Sequence, residues 1–255
     1  MASAEFLSTD DLWQRIRREA EAAAAADPFL GAQANAILEH HDIAGALASL
    51  IGQRIGSVTA HRIRFTRAAS EAFAAEPALI DAASRDLQAI VHRDPAMTGL
   101  LPPLLNFKGY VALQAWRVSN WLWRIDRAEL ARLMQSAASD QLQVSIHPSA
   151  EIGTQVLLDH GTGLIVGALV RIGDEATILQ NVTISRDQDD PRRAPKIGRG
   201  VFISAGATII GDISIGDFAK IGANALVTTD VPPGCTAVGV PARLTNCAEA
   251  AVPVA

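Results

Sequence analysis

Six aliphatic residues stand six positions apart in the C-terminal half of the chain: Ile197, Ile203, Ile209, Ile215, Ile221 and Val227. The hexads read IGRGVF, ISAGAT, IIGDIS, IGDFAK and IGANAL. An α-helix asks for a period near 3.6 and a half-buried strand for a period of 2. A strict step of six, with glycine beside many of the aliphatics, specifies short strands joined by tight turns. That pattern predicts a parallel β-helix with three flat faces and about 18 residues per coil. One aliphatic per hexad is expected to point into a narrow prism, and turn glycines take conformations that a Cβ would hinder.

The coil is expected to begin near Val144, because Ile146, Ile152 and Leu158 keep the step. The phase then slips by two, and Val166, Ile172, Ile178 and Ile184 carry it on. The slip brackets the segment LDHGTG. Thirteen positions separate Ile184 from Ile197, and the intervening SRDQDDPRRAPK is charged and poor in strand formers. It reads as a loop extruded from the coil. Insertions into repeats map to loops, often on the binding face; a neutral insertion is the plainer reading of either one alone.

Residues 1–140 have a different character, rich in alanine, leucine and arginine and sparse in glycine. Ser8-Thr9 followed by Asp10 and Asp11 predicts a helix start with acids in its first turn. Asp27-Pro28 predicts a second start. Leu79, Ala83, Leu87, Ile90 and Val91 follow the spacing of a buried helix face. Pro77, Pro95, Pro102 and Pro103 punctuate the region. The tryptophan-rich segment YVALQAWRVSNWLWRI is expected to form a helix that docks on a neighbouring coil or subunit. The chain thus divides into a helical region over 1–140, a coil over 141–243 and a C-terminal tail over 244–255, whose last segment EAAVPVA has too little pattern to be structured. The fold class is α+β.

Net charge is −5 and no basic stripe appears, which argues against a nucleic-acid partner. The N-terminus lacks a charged n-region followed by an apolar stretch, so no signal peptide is expected. No apolar run approaches the length of a membrane span. Cys235 and Cys247 carry neither a C-x-x-C pattern nor histidines at ligand spacing, so neither a disulfide framework nor a zinc site is expected. A soluble, cytoplasmic protein is the default.

Longer segments resemble the serine O-acetyltransferase family almost throughout: HRDPA at 92–96, LNFKGYVALQAWR at 105–117, IHPSAEIG at 146–153, LLDHGTGLIVG at 157–167, ILQNVT at 178–183, PKIG at 195–198 and GVPAR at 239–243. The resemblance implies an N-terminal helical oligomerisation domain followed by a left-handed β-helix. It implies trimers packed side by side, pairing into hexamers, with active sites between neighbouring β-helices. The implied reaction moves acetyl from acetyl-CoA to the hydroxyl of serine, with acetyl-CoA as co-substrate and no metal. Nucleic acid and membrane are not expected partners.

Acyl transfer to an alcohol needs a base that takes the hydroxyl proton, a task suited to imidazole near neutral pH. His160, in the first irregularity, matches the family's catalytic histidine. Asp159 and Asp94 match carboxylates near the substrate amine, although an Asp before Pro is also a common turn residue. Arg193 matches an arginine that clamps the substrate carboxylate, with Arg192 adjacent. Coenzyme contacts are implied for Ser185, Ala205, Gly206, Lys220, Gly222, Pro241 and Arg243.

Three departures from the family pattern stand out. The family places an orienting Asp where this chain has Ser145, and a hydroxyl cannot supply charge to an imidazolium; loss of such a carboxylate in analogous triads lowers rate by about 10⁴. The family histidine before P-K-I is replaced by Ala194. Loop glycines that line the acyl channel are replaced by Ser185 and Arg186. These changes point to an acyltransferase with a shifted acceptor or acyl donor. The alternative is a non-catalytic paralogue that binds CoA and regulates a true acetyltransferase. Family members often end in isoleucine, which docks into a partner sulfhydrylase; this sequence ends Val254-Ala255, so that complex is not expected.

Overall fold

The computed structural model describes residues 6–187, 190 and 192–247. The chain forms two units that meet in sequence between Leu142 and Gln143. The first holds helices α1 (Thr9–Ala26), α2 (Gly31–Leu38), α3 (Ile43–Ile55), α4 (Thr59–Ala75), α5 (Ala78–Arg93), α6 (Leu101–Asn106), α7 (Lys108–Arg124) and α8 (Ala128–Leu142).

Helix α1 starts where its cap predicts: the Ser8 hydroxyl accepts the Asp11 N–H at 3.1 Å, with Asp10 and Asp11 in the first turn. At Asp27-Pro28 the expected helix is at first only a 3-10 turn, Pro28–Leu30, which leads into α2. Leu79, Ala83, Leu87 and Ile90 form the buried face of α5; Val91 at its end is only half-buried. The two prolines of α6 sit at its start, where the Glu19 carboxylate accepts the N–H groups of Leu100 and Leu101 at 2.7 and 2.9 Å. Helix α7 corrects an expectation. Rather than docking outward, it is buried from Gly109 to Ser119 and packs among α3, α4, α5, α6 and α8. An Asp86–Arg117 ion pair crosses from α5 to α7, at 2.7 Å with side chains 0% and 6% exposed.

The second unit is a three-sided parallel coil. Face A stacks β1 (Val144–Ile146), β4 (Leu164–Val166), β7 (Thr183–Ser185), β10 (Thr208–Ile210) and β13 (Leu226–Val227). Face B stacks β2 (Glu151–Ile152), β5 (Arg171–Ile172), β8 (Lys196–Ile197) and β11 (Ser214–Ile215). Face C stacks β3 (Leu157–Leu158), β6 (Thr177–Ile178), β9 (Phe202–Ile203), β12 (Lys220–Ile221), β14 (Thr236–Val238) and, antiparallel at its end, β15 (Arg243–Thr245). The register joins Ile152 to Ile172 and then Ile197, so the six-step aliphatics stack in columns. The interior takes more than one residue per hexad. Val201, Ala207, Ile213, Ala219 and Ala225, each two before a six-step aliphatic, are buried as well. Side chains alternate sides along a strand, so residues two apart share the inward side.

Two further expectations are corrected at the C-terminal end. The coil runs past its expected boundary at 243, because Arg243–Thr245 form β15, and the segment EAAVPVA lies outside the described residues. Cys235 and Cys247 are joined in a disulfide; spacing alone gave no sign that the β14–β15 hairpin would bring its two ends together. Val254 and Ala255, on which the sulfhydrylase expectation rests, lie outside the described residues. Among the described residues no helix is long and apolar enough to cross a membrane.

Candidate active site

The edge joining face C to face A is built from equivalent turns on successive coils. At each turn one residue adopts a left-handed backbone: Asn181, Gly206 and Asn224 have φ of 58°, 75° and 56°. Each donates its N–H to a carbonyl one coil below, Asn181 to Thr162 at 2.7 Å, Gly206 to Gln180 at 3.0 Å and Asn224 to Ala205 at 2.9 Å. Thr162, Gln180 and Ala205 are therefore equivalent positions. The N–H groups of Asp159, Leu179 and Ser204 donate in the same way to Ile178, Ile203 and Ile221, so these three are equivalent as well. Leu179-Gln180 and Ser204-Ala205 are adjacent pairs. Between Asp159 and Thr162 two residues intervene, and the inserted pair is His160-Gly161.

The inserted pair explains why His160 projects. Its φ is 58°, Gly161 follows at 70°, and the Gly161 N–H closes a tight turn onto the Asp159 carbonyl at 2.6 Å. The imidazole is 72% exposed, and its Nε2 lies 3.7 Å from Asp159 Oδ1. That separation exceeds a hydrogen bond but places a carboxylate where a proton or an ammonium would arrive. His147, by contrast, is tied down: its Nδ1 lies 2.8 Å from Ser149 Oγ and accepts the Ser149 N–H at 3.1 Å.

The same edge carries Ala205, Gly206, Gly222 and the 239–242 turn with Pro241. Lys220 and Arg243 lie beside it on the end of face C, in β12 and β15. Ser145 stands on face A, paired across the ladder with Ile165.

Arg192 and Arg193 occupy the other border of face A, in the loop toward face B. Asp190 organises that loop: its carboxylate accepts the Arg192 N–H at 2.9 Å and its carbonyl accepts the Arg193 N–H at 3.0 Å. The Arg193 guanidinium then faces two carboxylates, Asp190 at 3.7 Å and Asp212 at 3.6 Å. Ser185 ends β7 just before this loop. Ala194 is buried, 5% exposed. Asp94 belongs to the helical unit, where it caps α5 and its carboxylate accepts the Ala96 N–H at 2.9 Å in a local turn.

The amino-acid sequence and this fold both match known proteins. A family model for the N-terminal region of serine acetyltransferases covers residues 12–115, and one for the bacterial transferase hexapeptide (six repeats) covers 194–229. The serine acetyltransferase of Haemophilus influenzae is 40% identical over 247 residues, 96% of this chain and 92% of that one. The chain belongs to the serine acetyltransferase family. Solved structures agree: a serine acetyltransferase in complex with CoA superposes with a TM-score of 0.90 at 40% identity, covering 93% of this chain and 100% of that one. The soybean serine acetyltransferase complexed with serine gives 0.88 at 42% identity, covering 92% and 97%.

Within this serine acetyltransferase fold several groups are chemically available. Lys220 and Arg243 have no carboxylate partner among the described residues. The Ala205 N–H finds no acceptor among them either. The glycines have a reason of their own: a Cβ on Gly206 would lie 2.1 Å from Asn224 Oδ1, and one on Gly222 would lie 2.7 Å from Val238 Cγ1. Their small size serves the stacking of coils, whatever binds outside. Sequence reasoning missed Asp190 and Asp212 as counter-ions of Arg193. Counting coils would have placed Asp212 on the same edge as the loop, but the loop's path over that edge is a tertiary matter.

Proposed function

We propose that this protein is a CoA-dependent O-acetyltransferase acting on L-serine or a serine-like amino alcohol, with His160 as general base. The observation that carries this reading is the His160-Gly161 insertion. It lifts a solvent-facing imidazole out of the edge that also bears Ala205, Pro241 and the cations Lys220 and Arg243, in a chain of this family. The thioester supplies the activated acetyl group. His160 takes the hydroxyl proton as the oxygen attacks and returns it to the departing thiolate. Asp159 stands by Nε2, supplying part of the charge that Ser145 cannot, and it offers an anion to the acceptor's ammonium. Lys220 and Arg243 meet the coenzyme phosphates, and the Ala205 N–H meets its thioester arm.

The acceptor clamp falls to Arg193, with Arg192 beside it, and Asp94 is a second carboxylate for the ammonium. The two edges of face A are separated by a full hexad, on the order of 15–20 Å of extended chain. One chain therefore does not join His160 to Arg193; a neighbouring copy does. Faces A and C expose Ile165, Ile210, Phe202, Val238 and Leu244, whereas face B carries the Glu151–Arg171 ion pair and Lys196. Apolar faces on either side of the His160 edge support a homotrimer, which the helical units would pair into a hexamer. A cytoplasmic setting goes with this activity.

Arg193 already has two carboxylates of its own chain, and position 145 carries no charge. Both observations favour a second reading, in which the acceptor lacks a free carboxylate or turnover on serine is slow; a regulatory paralogue is the extreme form. Release of CoA thiol from acetyl-CoA, measured with serine, serine amide and ethanolamine, tests the proposal. Turnover is expected on at least one acceptor, falling by about 10²–10⁴ in His160→Ala. Ser145→Asp with Ala194→His is expected to raise turnover on serine. Wild-type activity that His160→Ala leaves intact would refute the assignment of the base.

A further inference from the structure

The disulfide between Cys235 and Cys247 closes the last hairpin of the coil, and its two ends are held very differently. Cys235 is part of the coil and 2% exposed. Its carbonyl accepts the Lys220 N–H at 2.9 Å and its own N–H donates to the Pro232 carbonyl at 3.2 Å. Cys247 lies beyond β15 and is exposed. All three residues of β15 are exposed too, so within one chain no apolar burial holds that strand.

Three attachments remain. The first is the antiparallel ladder pairing Thr236 with Thr245, Ala237 with Leu244 and Val238 with Arg243. The second is the Thr245 hydroxyl bond to the Thr236 carbonyl at 3.3 Å. The third is the disulfide. β15 is the edge strand of face C, and its share of the sheet is a three-residue ladder on one side only. At the far end of the hairpin the turn is tied to β13, where the Leu226 N–H donates to the Gly239 carbonyl at 3.0 Å and the Ala242 N–H donates to the Leu226 carbonyl at 2.8 Å. Pro241 and Arg243 thus lie on a segment anchored by hydrogen bonds at the turn and by one covalent bond at its base.

We propose that Cys235–Cys247 is a redox clasp on this hairpin: oxidised, it holds β15 and Arg243 in place for the coenzyme; reduced by a dithiol, it releases β15 and weakens coenzyme binding. The coenzyme part rests on the function proposed above, while the clasp rests on the hairpin alone. One thiolate of the dithiol attacks the Cys247 sulfur, the exposed member of the pair. The protein S–S bond breaks, and Cys235 leaves as a thiolate that takes up a proton. The second thiol of the reductant then closes its own disulfide and expels Cys247. Two electrons pass from the dithiol to the protein, and the two thiol protons end on Cys235 and Cys247. Exposed disulfides are the ones that serve regulation in reducing compartments.

The test uses the full chain, oxidised with glutathione disulfide or reduced with dithiothreitol. Alkylation with mass spectrometry counts free thiols, hydrogen exchange follows the amides of 236–245, and calorimetry measures CoA binding. Expected are no adducts when oxidised and two when reduced. Exchange along β14 and β15 should be faster in the reduced form. The Kd for CoA should rise about 3- to 10-fold, the share of one ordinary hydrogen-bonded contact. Cys247→Ser should show the weaker Kd with or without dithiothreitol, and reduced wild type gives the same comparison should that variant fold poorly. Two free thiols after oxidation, or unchanged exchange, would overturn the clasp. Changed exchange with an unchanged Kd would overturn its link to the coenzyme. Oxidised protein that binds no CoA, yet loosens on reduction, would sink the acyltransferase reading and leave the clasp standing.

Discussion

His160 owes its prominence to its backbone. Its turn is longer than the equivalent turns by two residues, and among the described residues the carboxylate that meets the imidazole is Asp159, at 3.7 Å. Elsewhere single residues matter through burial. Asp86 accepts from Arg117 at 2.7 and 3.1 Å and from Gln114 at 3.0 Å, all inside the helical unit. Asp86→Ala would remove the carboxylate from a buried guanidinium, and a loss of about 3–5 kcal/mol in urea denaturation is expected. Tyr110 is the one tyrosine in the sequence. Burial first, and the Asp86 charge second, push its phenol above the ordinary range. A raised folded value means that the unfolded chain releases this proton first. Tyr110 therefore leaves stability unaffected below about pH 10 and lowers it as the pH rises beyond, by at most about 1.4 kcal/mol per pH unit. Tyrosinate absorbance should accordingly stay absent in the folded protein at alkaline pH and appear on unfolding, and Tyr110→Phe should flatten the alkaline slope.

At the scale of elements the turns of the coil set the tolerances. Gly206 has φ +75° and no space for a Cβ, which would meet Asn224 Oδ1 at 2.1 Å. Gly206→Ala is expected to destabilise by about 1–3 kcal/mol through strain and displacement of Asn224. Gly31, at the start of α2, has nothing within 4 Å of a Cβ and a helical backbone at φ −54°. Gly31→Ala should therefore stabilise by about 0.4–1 kcal/mol. Thermal melts of the two variants should move in opposite directions. Elements with local causes were legible in the sequence. Ser8 capped α1, and the six-step aliphatics became the stacked interior. Elements decided by packing were not. The tryptophans of α7 read as a docking surface because hydrophobicity does not say which neighbour covers it, and the end of the coil was set at 243 because β15, with none of its residues buried, extends no apolar step.

At the scale of the molecule, the candidate residues lie on two edges of one prism. Under the proposed reading a complete site needs His160 from one copy and Arg193 from the next. His160→Ala and Arg193→Ala should each be impaired alone. Co-refolded in equal amounts, they should recover about a quarter of the wild-type activity, because a random closed ring joins two intact halves at one interface in four. Sedimentation should give a trimer or a hexamer for all three samples. Recovery absent from well-assembled mixtures would mean that each chain carries its own site.

Residue order alone set the period of the coil, the slip at LDHGTG and the loop after Ile184, because each is a local count of residues against a fixed step. It also marked His160 and the uncharged Ser145. The tertiary structure alone decided which two residues make the insertion, since hydrogen bonds between coils, and not spacing, define equivalent positions. It decided that Asp212 faces Arg193 and that Cys235 meets Cys247. In each case the partners come together only when the chain turns back on itself, and no period in the sequence records that return.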